Sequence, residues 1–380
     1  VHMSRGLGDV YKRQSSYSRG IAAFLWICVA CNAVVGDDIM RLTFKEIKDE
    51  ISKIVPRDIE YKVDLEAGDI AVFTKDFEPF ISNDGLAGKI SKKIKRRIVM
   101  RPEPDMVMDK EDATAVIKDL VPETANISEL FFDPCIWKVI IQCENPSDAV
   151  GRRGSIAKEI RNSTGWEVSV ERTPPILSKT VRDIRGYREA NADERRKLLR
   201  NFGLNIHRPK RPGSTWARVT ALGSYQEVGR ACHFVTTNES RIMIDVGVNI
   251  ASDTDPMPYF TAPEALPLEQ IDAVVLTHAH LDHAGMLPVL FKYGYRGPVF
   301  CTPPTRDLML LLQTDYLKVG GAEGKRAPYD MEDIRMCMRH VVDVDWNQTT
   351  DIAPDVKMTF SNAGHILGSS AVHLNIADGK

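Results

Sequence analysis

The stretch "VVLTHAHLDHAG", residues 274–285, places three of the chain's nine histidines and an aspartate within six positions, directly after a hydrophobic run. The run predicts a buried strand. In an extended segment, residues two apart point to the same side, so His278 and His280 can converge on one ion. Asp282 and His283 follow at the turn into a predicted helix and can face a second ion nearby. Because imidazole and carboxylate groups are the expected zinc ligands, this pattern predicts a metal centre.

The pattern HxHxDH resembles a motif of the metallo-β-lactamase superfamily, which implies a two-zinc hydrolase on an αββα fold. A later stretch, "SNAGHILGSS" (residues 361–370), matches the third motif of that superfamily. The resemblance implies two groups of zinc ligands: His278, His280 and His365 for the first ion, and Asp282 and His283 for the second, where they also take part in catalysis.

One aspartate is expected to support these ligands. Asp245, in "IMIDVG" (residues 242–247), stands where the superfamily's first motif has its aspartate. The resemblance implies that Asp245 holds the loop and hydrogen-bonds a ligand histidine, without binding metal itself. His233, His340 and His373 lie in strand-like or helical patterns and are predicted to be structural.

A second motif, "VGRRGSIAKEI" (residues 150–160), predicts a nucleic-acid contact. Gly151 and Gly154 lie between two predicted helices, and glycine lacks the Cβ atom that would block a phosphate. The helix that follows offers free N–H groups at its N-terminus. Four basic side chains accompany the turn: Arg152, Arg153, Lys158 and Arg161. The turn resembles the GxxG loop of KH domains, which clamps about four nucleotides of a single strand.

The order helix, strand, strand, helix, helix, strand occurs twice in succession, over residues 40–106 and 107–175. This αββααβ order is similar to the type II KH arrangement, and each unit could bury one face of a three-stranded sheet under its helices. In the first unit, Gly85 and Gly88 occupy the place of the glycine turn but enclose apolar residues. We therefore predict a KH-like unit with a weakened loop there.

Three further segments complete the predicted organisation, a mixture of α+β and α/β architecture. Residues 1–39 are interpreted as a non-native or disordered segment, although the uncharged run 21–36 also fits the core of a signal peptide. Residues 176–213 are predicted to form a charged helical linker. Residues 214–380 are predicted to form a metallo-β-lactamase domain that is truncated at its C-terminal side.

Charge is distributed unevenly along the chain. The net charge of −2 gives no sign of a polyanionic partner for the chain as a whole. Residues 151–220, however, hold 17 Lys and Arg against 7 Asp and Glu. This local excess indicates either a confined nucleic-acid contact or a solvated linker helix. The seven cysteines are scattered, suggest no disulfide framework and fit a reduced cytosolic compartment.

Two KH-like units followed by a metallo-β-lactamase core resemble the archaeal cleavage and polyadenylation specificity factor family of β-CASP ribonucleases. Diagnostic stretches include "RTPPILSKTVRDIR" (residues 172–185) and "IHRPKRPGSTWARVTALGS" (residues 206–224). The resemblance implies a two-zinc endoribonuclease, with 5′→3′ exonuclease action as a further expectation, that cleaves U-rich single-stranded RNA in transcription termination. It also implies contact with RNA polymerase, a homodimer, a cytoplasmic location and no membrane association.

The resemblance also implies parts beyond the last residue, Lys380. These are a bridging aspartate, a further metal-binding histidine, the β-CASP domain and a C-terminal dimer surface. Asp378 lies in a predicted turn, before the expected position of the bridging aspartate. We therefore expect an N-terminal fragment with at most one full metal site and little or no RNA cleavage of its own.

Two other functions are compatible with these motifs. One is a small-molecule hydrolase on the same fold, because HxHxDH alone does not define a substrate. The other is a KH module that binds RNA without catalysis. The glycine turn and the local basic charge favour RNA as the ligand, and the intact HxHxDH pattern favours catalysis.

Overall fold

The computed structural model of the chain describes residues 42–82, 85–209, 211, 216–252, 254–322, 324 and 327–376. The interpretations of residues 1–39 and of Asp378 lie outside these residues. Four β-sheets organise the described part. Two of them each belong to a small unit, and the other two form a sandwich.

The first unit begins with a helix whose N-terminal cap is readable from the sequence. The Thr43 hydroxyl accepts a hydrogen bond from the Glu46 N–H, and the Glu46 carboxylate accepts one from the Thr43 N–H. This capping box satisfies two N–H groups at the helix start. The elements in chain order are α1 (Phe44–Ile54), β1 (Tyr61–Glu66), β2 (Asp69–Thr74), α2 (Glu78–Ile81), α3 (Leu86–Ile94) and β3 (Ile98–Pro102). Strands β1 and β2 are antiparallel and β3 is parallel to β2, so the predicted αββααβ order is confirmed.

The second unit repeats the same architecture. Its elements are α4 (Lys110–Leu120), β4 (Ile127–Asp133), β5 (Lys138–Cys143), α5 (Pro146–Val150), α6 (Ser155–Thr164) and β6 (Glu167–Arg172). Strands β4 and β5 are antiparallel and β6 is parallel to β5. The helices bury Ile117 and Ile160 against Val139 and Ile141 of the central strand. The alternation of apolar residues in β5 therefore gives one buried sheet face, as predicted.

The segment predicted as a charged helical linker consists of two packed helices, α7 (Lys179–Ala190) and α8 (Ala192–Ile206). Ile184 lies in one core of the sandwich, and Phe202 and Ile206 lie in the other. Arg188 and Arg195 are also buried. Of the two interpretations of the local basic charge, a solvated linker helix does not describe these two arginines, because they find carboxylate partners in distant parts of the chain.

The third unit pairs a six-stranded sheet with a three-stranded antiparallel sheet. The large sheet has the order β12-β11-β10-β9-β8-β7, with β9 to β12 mutually parallel. The small sheet has the order β13-β14-β15. The strands are β7 (Ala217–Gly223), β8 (Cys232–Thr237), β9 (Arg241–Ile244), β10 (Ala273–Val275), β11 (Val299–Cys301), β12 (Val341–Asp343), β13 (Thr349–Ala353), β14 (Val356–Asn362) and β15 (Ser370–Ile376).

Apolar side chains fill both faces of the large sheet. Between the sheets, Ile244, Val275 and Phe300 pack with Met358 and Phe360. Four helices cover the opposite face: α9 (Leu281–Ala284), α10 (Leu287–Lys292), α11 (Pro303–Ala322) and α12 (Met331–His340). The described residues thus form the α-β-β layers of the predicted αββα fold. Parallel strands buried on both faces need continuous apolar runs, which explains "AVVL" before the histidine motif.

Some elements of the third unit differ from the sequence-based expectation. The single helix predicted after the histidine motif is two short helices, α9 and α10, and Pro288 stands in the first turn of the second. Helix α12 and strands β12 and β13 were not predicted. Strand β12 has only three residues, too few for a periodic pattern to be recognised.

The first unit docks on the small sheet of the sandwich through the turn between β1 and β2. A Cβ atom at Gly68 would lie 2.2 Å from the Asp351 carbonyl oxygen of β13. On the other side of the turn, the Ala67 N–H donates to the Leu199 carbonyl of α8 at 2.9 Å. Only glycine permits this approach of two backbones, so the glycine in this turn is required by packing.

Candidate metal centre and nucleic-acid turn

The histidine motif lies at the carboxyl end of β10, in the middle of the large sheet. In open sheets of parallel strands, ligands bind in the crevice formed by the loops that follow the carboxyl ends of the strands. The Ser370 N–H donates to the Thr277 carbonyl at 2.8 Å, which ties the start of β15 to the motif. His278 and His280 follow in extended conformation before α9 begins.

Three of the predicted ligands converge. One ring nitrogen from each of His278, His280 and His365 lies within 4.8 Å of the other two, and the described residues contain no other such group of three. His280 Nδ1 is 3.2 Å from both His278 Nε2 and His365 Nε2. The three ring nitrogens come from two segments that are far apart in the sequence. Their closeness suits the coordination of a single metal ion.

The electrostatics of the cluster favour neutral imidazoles. Burial, together with the neighbouring histidines, lowers the pKa of His278 to about 4. Burial and then the nearby His365 lower the pKa of His280 as well. A metal ligand must be deprotonated, so both rings are ready to coordinate at neutral pH without releasing a proton.

The loop that carries His365 is held from two sides. Gly368, with φ +81°, has a carbonyl that accepts hydrogen bonds from Thr302 Oγ1 at 2.7 Å and Thr305 Oγ1 at 3.1 Å. The His365 N–H donates to Ser369 Oγ at 3.1 Å. A Cβ at Gly368 would lie 2.8 Å from Thr302 Oγ1, so a side chain there would displace the loop. Sequence reasoning missed both threonines, whose only signal was the stretch "CTPPT" after a predicted strand.

Asp282 and His283 lie beside the three-histidine cluster. The His283 ring centroid is 4.1 Å from that of His278. His283 Nε2 is 3.7 Å from Asp282 Oδ2, and the Asp282 side chain is 42% exposed. The two side chains therefore offer two donors for a second ion next to the first.

Asp245 occupies the position expected of an orienting residue. It is buried, and its Oδ2 lies 2.7 Å from His283 Nδ1. Its Oδ1 accepts a hydrogen bond from the Thr277 N–H at 2.8 Å. Burial opposes the charge, but His283 and these hydrogen bonds hold the pKa of Asp245 below its ordinary value. The carboxylate thus contacts the residue just before the HxHxDH motif and the last residue of the motif.

The donor set fits zinc. Structural and catalytic zinc sites use histidine nitrogen and carboxylate oxygen, and catalytic sites keep an open position beside three protein ligands. His278, His280 and His365 would hold one ion in this way, and Asp282 and His283 would contribute to a second.

The glycine turn of the second unit has a left-handed backbone at both glycines. Gly151 and Gly154 have φ values of +74° and +76°, and the turn leads into α6. Arg152 and Arg153 are exposed. In the first unit, by contrast, Gly85 caps α3 at φ −60° and Gly88 lies inside that helix, so the expected glycine turn is part of a regular helix.

Two of the predicted RNA-binding side chains also contact the first unit. The Lys158 ammonium lies 3.5 Å from a Glu78 carboxylate oxygen of the first unit. The Arg161 guanidinium lies 5.4 Å from the centre of the Phe77 ring, in the same unit. Both positions face helix α2 because the two units pack together there, a contact that the spacing of the motif does not reveal. Arg152 and Arg153 are thus the better-placed cations at the turn.

Comparison with known proteins assigns both parts of the chain. Residues 234–378 match the model of the metallo-beta-lactamase superfamily domain. Residues 41–107 match the KH domain model of transcription termination factor FttA. The chain is therefore a KH protein with a metallo-β-lactamase fold.

Individual relatives narrow this class. The chain is 45% identical over 335 residues to transcription termination factor FttA of Methanosarcina mazei, an alignment covering 88% of this chain and 53% of the relative. It is 41% identical over 339 residues to FttA of Methanothermobacter thermautotrophicus, with the same coverage of 88% and 53%. The chain belongs to the same family as these FttA proteins, and it spans about half the length of the curated relatives it matches.

A solved metallo-β-lactamase from Cronobacter sakazakii aligns with 44% of this chain and 62% of its own length, at 21% identity and a TM-score of 0.31. Among the described residues, no helix is both long and apolar enough to cross a membrane.

Proposed function

We propose that this chain binds single-stranded RNA and contributes the first metal site of a metal-dependent ribonuclease that acts in transcription termination. The observation that carries the proposal is the pairing, in one chain, of a three-histidine cluster with a glycine turn that exposes Arg152 and Arg153. The FttA relatives carry the name of termination factors, which supports the biological setting. U-rich RNA is the proposed substrate, and cleavage is endonucleolytic with 5′→3′ exonuclease action in addition.

The domain organisation proposed for this function has four parts. Residues 40–106 and 107–175 are the two KH units, 176–213 is the connecting segment and 214–380 is the metallo-β-lactamase domain. A homodimer, contact with RNA polymerase and a cytoplasmic location are part of the same proposal.

Each side chain has a distinct task in the proposed mechanism. His278, His280 and His365 would hold one zinc ion, and Asp282 and His283 part of a second. Bound zinc supplies Lewis-acid stabilisation of charge on a phosphodiester and lowers the pKa of a water nucleophile. Asp245 keeps the His283 ring in one orientation through its 2.7 Å contact with Nδ1. Arg152 and Arg153 position the RNA strand by its phosphates and carry no information about base sequence.

Electrophoretic or fluorescence measurement of RNA binding across a salt series tests the proposal. The probe is a labelled oligouridine, and the test variant combines Arg152→Asp with Arg153→Asp. Binding by the wild type should weaken with salt, because counterions are released from each neutralised phosphate, and it should collapse in the variant. The matched control, Lys45→Asp with Lys48→Asp, makes the same charge change on exposed positions of α1 and should bind far better than the test variant.

Two other results of the binding measurement would favour a different function. Wild-type binding that is absent at low salt, or equal in the test variant, would separate the KH units from the metal centre. A small-molecule hydrolase would then be the better-supported function. Binding without any metal uptake by the chain would instead favour a non-catalytic RNA module.

A further inference from the structure

A cleft of about 550 Å³ separates the first KH unit from the small sheet of the sandwich. Helix α3 and the residues after it form one wall, and strands β13 and β14 form the other. Gly88 belongs to this wall, and a Cβ atom placed there would meet no atom within 4 Å. The cleft is therefore open along a helix that carries no side chain at this point.

Four cations surround the cleft, against two carboxylates. Arg96 pairs with Asp351 at 3.2 Å, and Arg97 pairs with Asp69, also at 3.2 Å. Lys95 and Lys357 complete the set. Within the described residues, neither lysine forms an ion pair, so the cleft keeps an excess of two positive charges.

The excess positive charge is unfavourable at Lys357, because this side chain is partly buried. Its Nζ donates to the Lys95 carbonyl at 3.1 Å, which places it at the junction of the two units. Burial, with the charges of Arg96 and Lys95, lowers the pKa of the Lys357 ammonium, although Asp351 opposes this shift. Crowded, partly buried like charges repel each other, and an anion in the cleft would relieve the repulsion.

The cleft connects to the metal centre through one strand. Lys357 lies near the start of β14 and Asn362 at its end, where the loop with His365 begins, a distance of about 17 Å along the strand. Residues alternate along β14, so Lys357, Thr359 and Ser361 share the outer, polar face, while Val356, Met358 and Phe360 are buried. A polar track thus runs from the cleft to the base of the loop.

We infer that this cleft binds phosphates of a single-stranded RNA and forms a second RNA contact, separate from the glycine turn of the second unit. The inference rests on the proposed function, because the ligand class follows from it. The recognition is by charge, with Lys95 and Lys357 as the two cations free to take a phosphate. An extended chain of phosphates fits an open cleft with dispersed cations better than one compact anion does.

The experiment measures how RNA affinity depends on salt. The probe is the same labelled oligouridine, and the test variant of the whole chain combines Lys95→Gln with Lys357→Gln. On a single strand, each lost phosphate contact reduces the slope of log affinity against log salt by about 0.7, so the variant should lose about 1.4. Lys92→Gln, which removes a charge from the exposed side of the same helix, should leave the slope unchanged.

Two further variants protect the test against misfolding. Lys357→Arg keeps the positive charge, so its slope of log affinity against log salt should equal that of the wild type. Lys95→Gln alone changes an exposed side chain and should lose about 0.7 of the slope, half the effect of the pair. An unchanged slope in the double variant overturns the inference.

A competition arm separates RNA from a small phosphate ligand. Inorganic tripolyphosphate is titrated against the wild type and the double variant by calorimetry. Tripolyphosphate binding that depends on both lysines, with an unchanged RNA slope, would show a small-anion site and overturn the RNA contact. Loss of RNA binding in the Arg152→Asp, Arg153→Asp variant, with no effect of the lysines, leaves the proposed function standing and the inference refuted. No RNA binding by the wild type refutes both.

Discussion

The buried Asp245 carboxylate and the His283 ring form the contact that organises the HxHxDH motif, with Oδ2 and Nδ1 2.7 Å apart. A carboxylate accepts only, so Nδ1 carries the hydrogen, and in the neutral ring Nε2 keeps a lone pair for a metal ion. Asp245 reaches this position from a left-handed backbone conformation, φ +60°. Burial alone would lower the pKa of His283, but the Asp245 charge raises it above the ordinary value.

Replacement of Asp245 by asparagine should weaken metal binding at His283. The change removes the charge that selects the tautomer, and loss of such a partner typically reduces metal affinity by roughly 10- to 100-fold. Zinc affinity is measured by competition with a chelator, and long-range ¹H–¹⁵N spectra of the metal-free chain report the tautomer. Asp315→Asn, at an exposed position of α11, is the control. A wild-type tautomer and wild-type affinity in Asp245→Asn would refute the orienting role.

Replacement of His365 should abolish binding of the first ion. The three histidines converge only when the loop supplies the third nitrogen, so His365→Asn leaves two ligands from one short segment. Zinc at about 100 times its dissociation constant should stabilise the wild-type chain by roughly 2.7 kcal/mol, and the variant by much less. Thermal unfolding with and without zinc measures this difference. His373→Asn, on neighbouring strand β15, should respond like the wild type, and an equal response of His365→Asn would contradict the ligand assignment.

Asp343 should contribute strongly to the stability of the chain, because its ion pairs connect the connecting helices, the metallo-β-lactamase unit and the second KH unit. Its Oδ2 lies 2.9 Å from an Arg188 nitrogen of α7 and 2.6 Å from an Arg306 nitrogen of α11. Arg188 also lies 3.7 Å from Asp133 of the second KH unit. Burial opposes ionisation, but the two guanidinium charges hold the pKa of Asp343 below its ordinary value.

Asp343→Asn should therefore lower the free energy of unfolding by about 3 kcal/mol, because two buried arginines lose their shared counter-charge. Urea denaturation at neutral pH measures the loss. The control Asp345→Asn changes an exposed carboxylate two residues away and should stay within about 0.5 kcal/mol of the wild type. Equal stability of the two variants would mean that the buried network contributes little.

His207 should make the chain less stable at mildly acidic pH. Burial, with the charges of Arg96 and Lys357, lowers the pKa of His207 to about 3. The unfolded chain binds a proton near pH 6.5 while the folded chain does not, so stability is lost as pH falls from 6.5 towards 3. Between pH 7 and pH 5 this histidine should cost about 2 kcal/mol.

The comparison of urea midpoints at pH 7 and pH 5 tests this expectation. His207→Gln should show a smaller loss between the two pH values than the wild type, whatever its stability at pH 7. His373→Asn, which changes a histidine outside this contact, serves as the control. Identical pH dependence in the His207 variant and the wild type would show that folding does not change the pKa of His207.

The sequence by itself determined the features that depend on neighbouring residues. Thr43 and Glu46 cap a helix across three positions, and the apolar alternation of β5 defines one sheet face. His278 and His280 are paired by the two-residue period of an extended chain. These relations are local. The αββααβ units and the first two proposed metal ligands could therefore be predicted from the sequence.

Only the tertiary structure decided which distant groups meet. Arg188 and Asp343 are 155 residues apart, and their contact turned an apparently solvated linker into a buried connector. Lys158 and Arg161 turned towards the first unit because the two units pack together. Lys95 and Lys357 line one cleft, which forms only when two distant segments of the chain pack together. Such contacts depend on how whole sheets and helices pack, and periodicity along the chain carries no information about that packing.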